Sequence, residues 1–154
     1  MNRWFFVTFL GIIIVVGTVA LFVLPPNTAN APGGLTWVTE RGNADILRNI
    51  SIHPGDAVTS PLGITGEARG TWFFEASFPV TLTDWDGKII AQLPAQAIGD
   101  WMTEEYVPFG VTLTFDTPTP GDPTVNRGFL ILQKDNPSGL PEHDDALEIP
   151  VIFK

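Results

Sequence analysis

The chain is predicted to be all-β: an antiparallel β-sandwich of about seven or eight strands, preceded by one N-terminal transmembrane helix. Three observations predict it. A charge-free apolar run occupies Trp4–Leu24. From Asn49 onward, apolar residues recur at every second position rather than about every 3.6, the pattern of strands with one buried face. Clusters of Gly, Pro, Asn and Asp interrupt that alternation at short intervals, as turns between strands require.

The apolar run comes first in the chain. At about 1.5 Å per helical residue it reaches about 31 Å, enough to cross a hydrocarbon core of about 30 Å. Only Arg3 and the terminal amine precede it. Positive charge stays on the cytoplasmic side, so the N-terminus is expected inside and the rest outside. The run is longer than the apolar region of a signal peptide, and Pro25, Pro26 and Pro32 crowd the small-x-small site Ala29-Asn30-Ala31. An uncleaved anchor is therefore expected; cleavage after Ala31 is the alternative and would make the chain secreted. Pro25 to Gly34 has no apolar periodicity and is rich in Pro, Gly, Asn and Ala, the composition of a linker. The expected division is residues 1–24 as anchor or signal peptide, 25–48 as linker and lead-in, and 49–154 as the sandwich.

Charge is unevenly divided. After Leu24 stand all 17 acidic residues and seven of the eight basic ones, a formal −10 for that part. This disfavours nucleic acid as a partner, because phosphate backbones need a basic footprint. It equally disfavours lying flat on anionic lipid. There is no cysteine, which excludes disulfides, thiol chemistry, cysteine zinc sites and lipidation through cysteine. Stability must come from packing, for which five Trp and eleven Phe supply large apolar area.

The strands follow in order. Ile50 and Ile52 alternate with Ser51 and His53. Leu62, Ile64, Gly66 and Ala68 alternate with Gly63, Thr65, Glu67 and Arg69. A long strand is expected with Trp72, Phe74, Ala76, Phe78, Val80 and Leu82 on one side and Glu75, Ser77, Thr81 and Thr83 on the wet side. Val111, Leu113 and Phe115 form a further alternation, as do Leu147, Ile149, Val151 and Phe153. Such one-faced strands are the antiparallel case. Phe129–Leu132 is apolar on both faces and reads as a central strand. Asp86-Gly87 predicts a type I′ hairpin turn; loops are expected at His53–Asp56, Thr119–Asp122 and Asn136–Gly139. Pro79 and Pro150 each lack a ladder donor and are expected on edge strands or at bulges.

Several blocks in this order carry a resemblance. They are Pro54-Gly55, Val58-Thr59-Ser60-Pro61-Leu62 and Thr65-Gly66-Glu67-Ala68. Next come Gly70-Thr71-Trp72-Phe73-Phe74-Glu75-Ala76-Ser77-Phe78-Pro79-Val80, Asp84-Trp85-Asp86-Gly87 and Gly99-Asp100-Trp101-Met102-Thr103. Pro108-Phe109, Lys134-Asp135-Asn136-Pro137-Ser138-Gly139 and Pro141-Glu142 complete the series. The chain from Ile50 onward resembles the immunoglobulin-like domain of bacterial spore germination, the second of the GerMN-associated domains. The resemblance implies an immunoglobulin-like sandwich outside the cytoplasm, tied to germination or sporulation machinery, and brings no catalytic residues. The antibody-type cysteine pair is absent.

Candidate sites are sparse. Trp85 with Asp86, and Trp101 beside Asp100, pair an aromatic surface with a carboxylate, the make-up of many protein and sugar sites. Asp135, Glu142, Asp144 and Asp145 form an acidic loop that could offer oxygens to calcium, as could Asp84, Asp86 and Asp100; there is no EF-hand pattern. Otherwise no cofactor is expected. Glu75 is expected as an outward strand residue paired with Arg69. Ser138, His143 and Asp144 are hydrolase residue types without a nucleophile elbow. His53 is expected as a solvated loop histidine, and Tyr106 in a tyrosine-corner hydrogen bond.

The expected function is a membrane-anchored, extracytoplasmic, non-catalytic interaction module of a bacterial envelope, binding an envelope protein or glycan. A carboxylate-based cell-wall hydrolase and a calcium-stabilised structural domain are the alternatives. The hydrolase would need two carboxylates facing across a cleft, about 5–9.5 Å apart, near Glu75, Asp100 or Glu104.

Overall fold

The computed structural model describes residues 37–118 and 125–154. The Trp4–Leu24 run, the linker and the Thr119–Asp122 turn lie outside the described residues. Eight strands follow one another: β1 (Leu47–Arg48), β2 (Asp56–Val58), β3 (Leu62–Arg69), β4 (Ser77–Asp84), β5 (Ile89–Ala97), β6 (Tyr106–Leu113), β7 (Arg127–Gln133) and β8 (Ala146–Phe153). Among the described residues there is no α-helix, only two single 3₁₀ turns, at Gly70–Trp72 and Pro141–His143, and no helix there is long and apolar enough to cross a membrane.

The expected two sheets are one continuous sheet, in the order β1-β3-β6-β5-β4-β7-β8-β2. It curls so that β1-β3-β6 faces β4-β7-β8. Phe78 on β4 and Phe109 on β6, two strands apart in the sheet, meet edge to face with ring centroids 4.9 Å apart, and Phe115 meets Phe153 at 5.8 Å. The join between the halves is two residue pairs, Gln96–Gly110 and Ala97–Phe109. With β1 and β2 as the split first strand, this is an immunoglobulin-like arrangement in which β5 pairs with β4 on the second layer. All ladders are antiparallel except β2–β8, which is parallel and departs from the all-antiparallel expectation.

The core lies between the layers. Ile64, Phe78, Val80, Leu82, Phe109, Leu113, Leu130, Leu132, Ile149 and Phe153 are all buried in one cluster. These are the inward positions of the period-two patterns: β3 and β8 alternate buried and exposed residues almost without a break. Gly128 fits only as glycine. A Cβ there would stand 1.9 Å from the Thr83 carbonyl oxygen and 2.9 Å from the Phe153 ring.

Several expectations fail for local reasons. The long strand from Trp72 does not form. Gly70–Trp72 makes a 3₁₀ turn, then Glu75 and Ala76 take positive φ in a two-residue turn closed by the Phe74 and Ser77 backbone groups. Trp72 and Phe73 are therefore both buried, Phe74 is exposed, and β4 starts only at Ser77. Ile50 and Ile52 are buried but belong to no strand, because Asn49 takes positive φ just after β1. Thr81 and Thr83 are buried rather than wet, since β5 and β7 flank them on both sides.

The Asp84–Gly87 turn closes through Gly87 N–H donating to the Asp84 carbonyl, with Gly87 alone at φ +78°. It is not the predicted type I′ turn, which needs positive φ at both central residues. The Asp84 carboxylate holds it by accepting from Asp86 and Lys88 N–H.

Pro79 and Pro150 lie on interior strands, not on edges. Pro79 stands opposite Pro94. Two prolines can face each other only at a non-hydrogen-bonded pair, where each missing N–H points away from the other. On those outer flanks β7 joins β4 only from Val80, and β6 joins β5 only at Gln96 and Ala97. Pro150 likewise turns towards β2, whose ladder starts at Val151; its carbonyl accepts there from Gly55 N–H. Each proline sits where a neighbouring strand has ended.

Residues 37–48 pack on the sheet as a strap. Leu47 is fully buried, Trp37 packs against the core and Thr39 is buried. Val38 is exposed.

Candidate functional site

The strap is anchored by one carboxylate. Asp145, only 6% exposed, accepts from Thr39 Oγ1 at 2.8 Å, Asn43 Nδ2 at 2.7 Å, Arg41 N–H at 3.2 Å and Ala146 N–H at 3.0 Å. A buried carboxylate needs such donors, because leaving its oxygens unpaired would cost several kcal/mol. The Arg41 guanidinium donates to the Pro141 and Asp144 carbonyls, and Lys134 Nζ to the His143 carbonyl at 3.1 Å. The result is an open cleft of about 280 Å³ lined by Arg41, Asn43, Trp72, Lys134, His143 and Asp145, among others.

The acidic loop is thus mostly occupied with its own scaffold. Asp144 accepts from Asn136 Nδ2 at 2.7 Å, Asp145 holds the strap, and Glu142 lines the cleft. Asp135 lies beside Pro79 and Pro94 on the other flank of β7. Among the described residues no group of three or more His, Asp or Glu is arranged to hold a metal ion. Ser138 Oγ approaches His143 Nδ1 at 3.1 Å, but it also donates to Asn136 Oδ1 at 2.5 Å, and the Asp144 carboxylate binds Asn136 instead of the imidazole. The base has no orienting acid, so the triad geometry is absent.

A second polar cluster lies on the outside of the β1-β3-β6 layer. The Tyr106 ring is held between two guanidinium carbons, Arg48 at 3.7 Å and Arg69 at 3.9 Å from its centroid. Arg48 grips Glu67 with two hydrogen bonds of 2.9 and 3.2 Å. Arg69 bonds Asp45 at 2.6 Å, not Glu75, which is exposed in its turn. The Tyr106 hydroxyl donates to the Asp45 carboxylate, so it is not a tyrosine corner, in which the acceptor is backbone. That hydroxyl, then Arg69, holds the Asp45 carboxyl below its ordinary pKa; burial and the same hydrogen bond push the Tyr106 phenol up. Asp45 takes φ 113°, a conformation that this pair of bonds maintains. His53 is exposed and makes a 3.5 Å pair with Asp56 across its own turn.

The outside of the β5-β4-β7-β8 layer is different. The registers place Ile89, Thr83, Phe129 and Pro150 side by side in one row across four strands. The next row on one side is Gln92, Thr81, Ile131 and Glu148; on the other, Arg127, Ile152 and Ala57 stand together. Ile89 is 54%, Phe129 40% and Ile152 46% exposed. Trp85, in the hairpin turn that precedes Ile89, is 51% exposed. Exposed apolar side chains thus recur in a band across this face, with the buried Thr83 between Ile89 and Phe129, where a wet face is expected.

Of the expected site residues, Trp85 and Asp86 adjoin this band. Trp101 does not. It lies after β5, at the far end of a nine-residue strand that spans about 30 Å, and it packs partly buried against the core. Its carbonyl sits where any side chain at Gly70 would go. Asp100 caps its own turn by accepting from Met102 N–H at 3.1 Å. Sequence reasoning missed the band: Ile89 and Ile152 look unremarkable until register brings them beside Phe129.

A model of the immunoglobulin-like domain of bacterial spore germination matches residues 53–128. That description names a domain type and no reaction. No curated protein and no solved structure matches the chain.

Proposed function

We propose, starting from the fact that residues 53–128 belong to the family of immunoglobulin-like domains of bacterial spore germination, that this chain is a non-catalytic, membrane-anchored, extracytoplasmic interaction module of a bacterial envelope. The observation that carries the binding role is the row Ile89–Thr83–Phe129–Pro150 on the outer face of β5-β4-β7-β8, whose exposed members Ile89, Phe129 and Pro150 are all apolar. Exposed apolar bands of this kind are what protein partners cover. The anchor rests on the Trp4–Leu24 run. The orientation rests on Arg3 preceding it.

The test uses the full chain in bacterial membranes. Protease added from outside should remove residues 37–154, while a cytoplasmic marker survives. A photocrosslinking residue in place of Phe129 should give adducts with protein, and one in place of the exposed Thr65 on the opposite face should not. A domain protected along with the cytoplasmic marker would reject the topology. Equal adducts from both faces would reject the binding face.

A further inference from the structure

We infer that the protein partner of the apolar face is a second copy of this chain, packed face to face about a two-fold axis along the Ile89–Thr83–Phe129–Pro150 row. This rests on the reading of that face as the binding surface. The argument for a second copy is the way charge is laid out around the row. On one side stands Arg127, opposite Ile152; the adjoining hairpin tip holds Lys88 together with Asp84 and Asp86 and adds no net positive charge. On the other side stands Glu148, opposite Ile131, with Glu40 close enough to raise the Glu148 pKa after burial has done so. Among the described residues neither Arg127 nor Glu148 has an ion-pair partner. The face therefore presents a cation, Arg127, on one side of the row and a carboxylate, Glu148, on the other, with apolar side chains between them.

A two-fold axis across the strands turns each copy's Arg127 side over its partner's Glu148 side. It does so twice, as an isologous contact requires. Each residue of the row meets its own counterpart, so Phe129 and Ile89 lose their water without burying a charge. A foreign partner would need the same apolar band with the complementary polarity, which a second copy has by construction. The formal −10 of the exterior part opposes association only at long range, and at physiological salt that repulsion is screened beyond about 8 Å.

Size sets the conditions. Four strands about 4.8 Å apart and three rows about 6.8 Å apart cover roughly 400 Å² per copy, about half of a standard interface. Such a contact is weak between free molecules. Anchoring in one membrane raises the effective concentration and removes most of the cost of bringing two copies together. The dimer is thus expected on the membrane rather than in dilute solution.

The chain has no cysteine, so one introduced thiol reports one position. Two differently tagged full-length copies, each carrying Pro150→Cys, are co-expressed in a bacterial membrane and treated with a short bismaleimide. A mixed-tag dimer is expected, with none from Thr65→Cys on the opposite face. Arg127→Glu in both copies should lower the yield by about fivefold, and adding Glu148→Arg should restore it. Equal dimer from Thr65→Cys, or a yield indifferent to the charge reversals, overturns the inference. A Pro150→Cys adduct with a different protein alone overturns the second copy but leaves the face as a binding surface. No adduct from fully reactive Pro150→Cys overturns both.

Discussion

The two outer faces of the sandwich are built on the same period-two backbone, yet they solve opposite problems. Outside β1-β3-β6 stand Arg48, Glu67, Arg69, Tyr106 and Thr65. There every long cation finds a carboxylate, and the one aromatic ring lies between two guanidiniums. The charges of Arg48, Glu67, Arg69 and Asp45 are thus paired within the chain. Outside β5-β4-β7-β8 stand Ile89, Phe129, Ile131, Pro150 and Ile152, with Arg127 and Glu148 kept apart. That face satisfies nothing internally. A closed polar network covers one side of the molecule, while the other side carries exposed apolar side chains flanked by separated charges.

Three further measurements break or sharpen this contrast, beginning with the most severe. Phe78→Ala removes the ring shared by both layers, against Trp72, Phe73 and Phe109. A loss of about 4 kcal/mol is expected. It should appear as one lower thermal midpoint by circular dichroism, because both faces rest on the same core; two separate transitions would show the layers to be independent.

Tyr106→Phe acts on the polar face alone. It deletes the hydroxyl that donates to Asp45 and should lower the thermal midpoint modestly at neutral pH. Its pH dependence follows from the depressed Asp45 pKa. The folded value lies below the ordinary 3.8. The bond therefore stabilises the fold above that pH, and the contribution is lost as pH falls through the folded value. The stability gap between wild type and Tyr106→Phe should close as the solution is acidified below 3.8; a gap that widens in acid would show that Asp45 is not the acceptor.

Glu148→Gln acts on the apolar face and is the smallest change. Burial and Glu40 raise the Glu148 pKa above its ordinary 4.5. A raised carboxyl favours the fold while protonated and loses that contribution as pH rises through the folded value. Replacing it with an always neutral amide should slightly raise the thermal midpoint at pH 7, with the gain vanishing below pH 4.5. A variant less stable at pH 7 would mean that Glu148 has a cationic partner within its own chain.

Much of the fold could be read from residues in order. The alternations at β3, at and just after β6, and at β8 place Ile64, Leu113, Phe115, Ile149 and Phe153 inside, as found. That works because a pleated strand sends successive side chains to opposite faces whatever its neighbours do. The stretch Trp72–Ala76 was misread because a type of turn that needs positive φ formed at Glu75 and Ala76, residues that rarely signal one. The polar cluster was half legible. Glu67 and Arg69 sit on the wet side of their strand, but Arg48 and Asp45 reach them from the strap, whose twelve residues showed no clear period.

What the amino-acid sequence determined by itself is therefore local and compositional: a membrane-length apolar run, strands of period two, turns at Gly, Pro and Asp, an acidic remainder after Leu24 without cysteine, and the blocks that resemble a germination-associated immunoglobulin-like domain. What only the tertiary structure decided is which side chains share a face and what each must satisfy. Asp145 and Thr39 are 106 positions apart, and only the fold makes them a buried pair. Ile89, Phe129 and Ile152 come from three different strands, and only the strand registers turn them into one band. Alternation within a strand is set by the chain's own geometry, whereas pairing between strands depends on which distant residue stands opposite, and no short stretch of sequence records that.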